Sequence, residues 1–552
     1  MKDIAEAISE YERWLEKTED DPLMHGELEK LRWNDEAAYE CFYDDLKFGT
    51  SGIRGIIGPG TAGMNRYVVR RATFGLSSYI RNHEMTGLPV VIAYDGRRYS
   101  SDFADEAARV LSAEGISVYL FSEITPVSVL SFAIERLGCS FGIMITASHN
   151  PSIYNGYKVY DRRGFQITPE TADEITREIK KADFFDVPGR FGDDKAPVSA
   201  PPADVREEFI SGVCSFIPES VDRGVFKDLK IIYTPLNGAG AGYVPEVLGR
   251  CGFENVFTVP TQKDPDPEFT TCKTPNPEKI ASYSEAFRFL DREGGDIIIA
   301  TDPDCDRLGV AVVRDGTKTM LSGNQIGLLM LEFLCTYRNP SSEKLCYRSI
   351  VSTPLASTIA EAHGMTMVET LTGFKYIGEA IAELEAEGRK DRYFFGFEES
   401  NGFLMDPFIK DKDGVSAALL IAAAAAVSKA GSSNLLERLR RIYEIYGVCV
   451  DRTKNYPFKG IEAAETMRSV MTWLRENCRE KLGENYVQNF TDYLVDETGL
   501  PKANVLKFEF EDGNTVLIRP SGTESKIKAY YYLTDHDPGC EAAVNEIMER
   551  FR

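Results

Sequence analysis

Runs of apolar residues without polar alternation repeatedly end in a polar cluster along this chain. Phe141 to Thr146, Asp296 to Ala300 and Arg392 to Phe395 are the sharpest cases. Such runs predict strands buried on both faces, the habit of parallel sheets. Strand and helix patterns alternate before the first run: strand Pro89 to Tyr94, helix Asp102 to Glu114, strand Ile116 to Phe121, helix Pro126 to Leu137. A further strand, Asn155 to Tyr160, follows it. The second run has the same preparation, with strands at Leu229 to Tyr233 and Val256 to Val259 and helices at Gly242 to Arg250 and Pro277 to Arg292. Before the third run come helices at Gln325 to Tyr337, Pro354 to His363 and Tyr376 to Glu387, with strands Cys346 to Ser352 and Met365 to Glu369. This βα repetition predicts parallel sheets with right-handed crossovers, in which ligands sit at the carboxyl ends of strands.

The two ends of the chain follow other patterns. Ile4, Ile8, Tyr11 and Trp14 recur at helical spacing, so residues 1–40 read as one or two acidic amphipathic helices, an accessory extension. Near the other end a helix at Ala463 to Leu474 precedes strands Val505 to Phe510 and Thr515 to Ile518, joined by an Asp-Gly turn that predicts a hairpin. The expected division is 1–40, 41–203, 204–317, 318–440 and 441–552. Pro197, Pro201 and Pro202 mark the first linker. The 552 residues suit several cores rather than one. The expected class is α/β, in repeated βα units, with a last hundred residues of different character.

Composition narrows the function. A net charge of −23 repels polyanions, so nucleic acid is not an expected partner. The apolar run Ala417 to Val427 is too short to span a bilayer, and the acidic N-terminus does not read as a signal, so neither a membrane nor export is expected. Eleven cysteines with no CxxC pair read as reduced thiols in a cytoplasmic protein.

The polar clusters carry the candidate chemistry. After the first run stands Thr146-Ala147-Ser148-His149-Asn150-Pro151, where Asn-Pro forbids helix and forces an abrupt loop. Ser148 is the candidate reacting group. A hydrolase reading is disfavoured, because G-x-S-x-G is absent and the side chain of His149, as a chain neighbour, is expected to diverge from Ser148. Lys158, on the next strand, returns toward the same loop. The glycine-rich loop Phe48 to Gly55 offers amides and Arg54 to an anion but lacks the Gly-Lys-Ser/Thr of a P-loop.

After the second run, Asp302, Asp304 and Asp306 alternate in a loop expected to be extended, turning three carboxylates toward one point. Their repulsion calls for a divalent cation, and all-oxygen ligands favour Mg²⁺. An EF-hand is excluded, since Arg307 and Val313 occupy its required Gly and Glu positions. After the third run, Glu398, Glu399 and Ser400 offer groups suited to sugar hydroxyls. Past the C-terminal hairpin, Arg519-Pro520-Ser521-Gly522-Thr523 combines a guanidinium, hydroxyls and a permissive glycine, as phosphate recognition requires.

Together and in this order, the T-A-S-H-N-P, D-P-D-C-D-R, G-F-E-E-S and R-P-S-G-T-E motifs closely resemble those of the α-D-phosphohexomutases over nearly the whole chain. The resemblance implies three similar α/β domains with mixed, largely parallel sheets plus a smaller C-terminal α+β domain around a central cleft. The resemblance implies that Ser148 is a phosphoserine and that Asp302, Asp304 and Asp306 hold Mg²⁺ beside it, with Ser148 itself in the metal set. It places Arg54, Lys158 and His149 with Ser148 in the catalytic group. Arg307, Thr372, Gly373, Glu398, Ser400 and Lys412 fall to the substrate, and Arg519, Ser521, Gly522 and Thr523 to the phosphate that is not transferred. Ser525 departs from the proline common after that last motif. The implied reaction interconverts glucose 1-phosphate and glucose 6-phosphate, with glucose 1,6-bisphosphate as intermediate and activator, in a monomer or dimer whose partner is a small sugar phosphate. Glu399 leans toward glucose. Mannose or pentose phosphates remain alternative substrates, the latter because Thr372-Gly373-Phe374-Lys375-Tyr376-Ile377-Gly378 is shared with pentose users. A sugar phosphate-binding regulator is the non-enzyme alternative.

Overall fold

The computed structural model describes residues 2–49, 52–187, 195–458, 462–522, 525–534 and 539–551. Its first sheet has the strand order Ile53–Ile56, Tyr154–Asp161, Phe141–Ile145, Val90–Tyr94, Val118–Leu120, Val198–Ser199. The last four of these strands run parallel, as βα alternation requires. Tyr154–Asp161 instead returns antiparallel beside Phe141–Ile145, setting Met144 opposite Lys158. Lys158 is thus fixed next to the serine loop by strand register.

That return is the repeated device of the molecule. In the second sheet, Ile297–Thr301 pairs in parallel with Lys230–Thr234 and then antiparallel with Leu308–Arg314. In the third, Tyr393–Glu398 pairs in parallel with Leu345–Ser349 and antiparallel with Gly402–Leu404. Each turn joining the inner strand to its antiparallel neighbour holds a non-glycine residue at positive φ: Ser148 at 52°, Cys305 at 56° and Asn401 at 64°. Such backbone costs on the order of 1 kcal/mol or more and persists only where its surroundings enforce it. Here the surroundings are mutual, since Leu308 N–H donates to Asn401 O at 3.0 Å and Asn401 Nδ2 donates to Leu308 O at 2.7 Å. Val127 N–H donates to Asp304 O at 3.0 Å, tying the aspartate loop to the first domain.

The strand Leu308–Arg314 is absent from the sequence reading, in which the polar Asp306-Arg307 pair and Gly309 interrupt the pattern. Gly309 is there for fit: a Cβ would stand 2.1 Å from the Tyr283 hydroxyl. The expected helix from Pro277 begins instead as a 3₁₀ turn, Ile280–Tyr283, and becomes α-helical at Ser284–Glu293. The N-terminal extension forms three helices rather than one or two, Ile4–Lys17, Pro22–Glu29 and Asp35–Phe42. Trp14 is fully buried there against Phe42, Tyr67, Phe184 and Phe185, while Ile4 is mostly exposed. The stripe therefore docks the extension on the first domain by its later residues.

The alanine-rich helix Gly414–Ala430 is buried on nearly every side in a core that reaches from Val129 through Ile231 and Phe395 to Tyr530. Its uniform apolarity reflects that burial. Among the described residues no single helix is long and apolar enough to cross a membrane. The fourth sheet is wholly antiparallel, in the order Val450–Pro457, Lys526–Leu533, Thr515–Pro520, Leu506–Phe510, Asn485–Asp492, Lys481–Leu482. Helices Ala463–Asn477 and Gly539–Arg550 share its core.

Candidate active site

Ser148 leaves the end of strand Phe141–Ile145 in the left-handed conformation, and Thr146 Oγ1 accepts its N–H at 2.8 Å. The Ser148 hydroxyl donates to Asp302 Oδ2 at 2.8 Å. First- and second-domain loops therefore meet at one hydrogen bond across 154 residues. His149 corrects an expectation: Nδ1 lies 3.3 Å from Ser148 Oγ, because positive φ at Ser148 folds the two side chains toward one another. Burial, reinforced by the cations Arg307 and Arg54, holds His149 well below the ordinary histidine range, so the ring is neutral.

The serine loop is held from beneath by two residues the sequence reading passed over. Arg97 donates to Ser148 O, to Asn150 O at 2.6 Å, to Pro151 O at 2.9 Å and to Tyr154 O at 3.2 Å, while its Nε meets Asp95 Oδ2 at 3.1 Å. Asp95 also accepts from Thr146 Oγ1 at 2.6 Å and Ser100 Oγ at 2.8 Å. Both are buried. Their signal was available, since Asp95-Gly96-Arg97 stands directly after strand Val90–Tyr94, at the carboxyl end where such sheets place function.

Asp302, Asp304 and Asp306 are buried, each with a carboxylate oxygen within 4.8 Å of the others. The loop is a turn and not extended: Cys305 N–H donates to Asp302 O at 2.9 Å, and Asp302 Oδ1 accepts the N–H groups of Asp306 and Arg307 at 3.1 and 3.0 Å. Burial, then the like charges of Asp304 and Asp306, push the Asp302 carboxyl far above its usual range. Burial acts on Asp304 too, but Lys158 Nζ at 2.8 Å outweighs it and holds that carboxyl low. Burial and Asp304 likewise oppose the charge of Asp306, which Lys412 Nζ at 3.2 Å and Lys158 at 3.7 Å keep low. Asp304 Oδ1 and Asp306 Oδ1 are buried without a hydrogen-bond partner. Clustered hard oxygens with unused lone pairs are what a Mg²⁺-sized cation needs, so the donor set fits the ion that the sequence implied.

The remaining residues surround this centre. Arg54 Nη1 reaches Asn150 Oδ1 at 3.1 Å. Arg307 pairs with Glu278, another residue not anticipated, and its Nε is buried without a hydrogen-bond partner. Glu398 Oε1 accepts the Gly373 N–H at 2.6 Å, joining two elements of the expected sugar site, and Thr372 Oγ1 is buried without a partner. Ser400 is half-buried beside them. Arg519 keeps Nε buried without a partner, and the register pairs it directly with Lys528, a second cation. Ser521 is half-buried and Gly522 exposed, while Thr523 lies outside the described residues. No hydrogen bond or ion pair joins Arg519 to Ser148. Its charge is felt instead by Glu398 and Glu399. The arrangement offers a hydroxyl beside a cation site at one end and a guanidinium beside an ammonium at the other. A ligand with two separated anionic groups suits two such clusters.

Comparison with known proteins agrees. Models of the phosphoglucomutase/phosphomannomutase α/β/α domains I, II and III match residues 45–186, 207–316 and 322–443. The phosphoglucomutase of Staphylococcus aureus strain MSSA476 is 34% identical over 545 residues, 96% of either chain. Two solved structures share the fold. A phosphoglucomutase/phosphomannomutase family protein from Burkholderia thailandensis has a TM-score of 0.69 at 19% identity, covering 91% of this chain and 97% of its own. The Paramecium phosphoglucomutase parafusin, in an open form, has a TM-score of 0.69 at 18% identity, covering 92% and 96%. With consecutive domain models across most of its length and a curated relative matched nearly end to end, the chain belongs to the α-D-phosphohexomutase family and is an isomerase-class phosphotransferase.

Proposed function

We propose that the protein is a phosphoglucomutase, interconverting glucose 1-phosphate and glucose 6-phosphate through phosphoserine at Ser148. The observation that carries the reading is the 2.8 Å contact of Ser148 Oγ with Asp302 inside a buried carboxylate trio that keeps open oxygens. The phosphoryl group leaves Ser148 Oγ for the free hydroxyl of the bound hexose phosphate, giving a 1,6-bisphosphate. That intermediate turns over, and its other phosphoryl group returns to Ser148 Oγ, leaving the product with one phosphate. Asp302, Asp304 and Asp306 would hold Mg²⁺, which when bound would neutralise charge on the phosphoryl oxygens.

The chain's own groups do the positioning. Lys158, beside Asp304, and Arg54, beside Asn150, set positive charge around the serine loop. His149, held neutral by burial and by Arg307 and Arg54, lies 3.3 Å from Ser148 Oγ and completes the polar surroundings of that oxygen. Glu398, Ser400 and the Thr372–Gly373 turn face the sugar hydroxyls. Lys412 and Arg307 line the path between the ends. Arg519, Ser521 and Gly522 hold the idle phosphate, with Lys528 as a further cation. The division at 41–203, 204–317, 318–440 and 441–552 gives each domain one such loop. Glucose is favoured by the identity with a curated phosphoglucomutase. A cytoplasmic setting is supported by the eleven cysteines, which are scattered along the sequence and form no CxxC pair.

The test is kcat/KM for glucose 1-phosphate, mannose 1-phosphate and ribose 1-phosphate on one preparation, with Mg²⁺ and trace bisphosphate. A clear lead for glucose is expected. A lead for mannose or ribose would replace the substrate, and inactivity on all three would return the protein to a binding role.

A further inference from the structure

Beside the strand Ile53–Ile56 that carries Arg54, the first domain forms a partly open cavity of about 500 Å³. That is within the range of roughly 300–1,000 Å³ typical of small-molecule sites. Its walls are apolar: Phe48 and Ile53 from the glycine-rich loop, Val68 and Ala72 from helix Arg66–Asn82, and Ile179 and Phe184 from the third side. Its rim is not. Lys2, Lys47, Arg71 and Lys180 stand there against two carboxylates, Asp44 and Asp45. Asp45 is shared by Arg71 at 2.7 Å and Lys2 at 3.3 Å, and Lys47 lies 3.7 Å from Asp44. Lys180 has no carboxylate within 4.0 Å among the described residues. On a chain of net charge −23, an excess of cations over an apolar chamber is a local inversion. We propose that this cavity is a second ligand site, for an organic anion with an apolar body, and that its occupancy is communicated to the active site through Ile53 and Arg54.

The communication follows from packing. Gly52 sits at φ 75°, pressed on the neighbouring strand: a Cβ there would lie 1.9 Å from Tyr157 O and 2.9 Å from Lys158 Cα. Ile53, which walls the cavity, pairs in register with Tyr157, and Arg54 with Gly156. A ligand that displaces Ile53 has no slack to absorb the shift before Arg54 and the backbone of Lys158. Close-packed interiors transmit such strain. The phosphate ends of the substrate are served by other cations, so the two sites take chemically different anions. Binding at the cavity does not depend on the mutase reading, whereas its effect on turnover does.

Anilinonaphthalene sulfonate, an apolar anion that fluoresces on leaving water, is the probe. Titrated into the folded full-length protein, it should bind saturably at one site and stay bound when glucose 1-phosphate is added. Val68→Trp, which fills the chamber, should abolish the signal, and Lys180→Glu, on the rim, should weaken it about fivefold. The Lys180 variant keeps the test valid if Val68→Trp unfolds. The mutase rate of the unsubstituted protein should change over the same probe concentrations, and that of the Lys180 variant only at higher ones. Absence of saturable binding, displacement by glucose 1-phosphate, or indifference to both substitutions would overturn the site. Binding with an unaltered rate would overturn the link to Arg54. A protein without mutase activity that still binds the probe would fault the functional reading and leave the cavity standing.

Discussion

The serine loop and the aspartate loop are built alike and finished differently. Both follow a buried strand, both turn at a residue with φ near 55°, and both feed an antiparallel neighbour. In the first, the chain completes itself: Arg97 spends its guanidinium on four backbone carbonyls and Asp95. In the second, Asp304 Oδ1 and Asp306 Oδ1 are buried with nothing to accept. One loop is rigid without help. The other is left unsatisfied at the point where an added cation would complete it. A loop that must present one reacting oxygen needs fixed geometry, whereas a loop that must hold an ion needs free lone pairs. Strain is tolerated in both because neighbouring loops pin the turns.

The largest effect expected is at the reacting oxygen. Ser148→Ala should lower mutase turnover by several orders of magnitude while glucose 1-phosphate binding, read by calorimetry, stays within about threefold. Near-normal turnover would remove Ser148 from the reaction. Next comes the unfinished loop. Chelation of divalent cations should abolish turnover and Mg²⁺ should restore it, with Asp304→Asn shifting the Mg²⁺ titration to higher concentration. An unmoved titration would show that the ion is held elsewhere.

Breaking the self-sufficient loop should cost less catalysis and more stability. Arg97→Met takes a donor from the buried carbonyls and the counter-charge from Asp95, which keeps its bonds from Thr146 and Ser100, a penalty of about 3 kcal/mol in unfolding free energy. Released from its cage, Ser148 moves, and a displacement near 1 Å costs about 100-fold in kcat. KM should change little, because the sugar and phosphate loops are untouched. A fall in stability with unchanged kcat would make Arg97 a purely structural residue.

This contrast also explains what the sequence disclosed. The inner strands were legible because burial on both faces leaves no polar alternation to misread. The polar clusters were legible because Asn150-Pro151 and Asp302-Pro303 break the pattern sharply. Arg97 was not, since a lone arginine reads as solvated until the fold shows it buried on carbonyls 51 to 57 residues away. Strand Leu308–Arg314 was hidden by the Asp306-Arg307 pair at its start. The position of His149 escaped because the rule that adjacent side chains diverge assumes extended backbone, and Ser148 is not extended. Lys528 and Glu278 were silent for another reason: each acquires meaning only from partners in a different segment.

The smallest expected effect tests a group that belongs to neither loop. Glu399 follows Glu398 in the third domain, accepting from Ser349 Oγ at 3.2 Å and facing the cations Lys528 and Arg519 of the fourth. Burial, then the charge of Glu398, pushes its carboxyl up to about 7. An acid raised in this way binds its proton more tightly folded than unfolded, so stability is greatest at low pH. Between about pH 4.5 and 7 the native state holds a proton that the unfolded chain has lost, and the contribution fades as pH rises through that window. Glu399→Gln keeps a group able to hydrogen-bond to Ser349 and removes the charge. It should therefore be close to neutral at pH 4 and stabilising by about 3 kcal/mol at pH 8, read as a Tm difference that grows with pH. The aspartate trio predicts no such simple behaviour, because its charge is shared with Lys158, Lys412 and a bound ion. A Tm difference that is flat from pH 5 to 8 would place the Glu399 carboxyl in the ordinary range and would remove the claim that its surroundings, between the third and fourth sheets, are dry enough to hold back an ionisation.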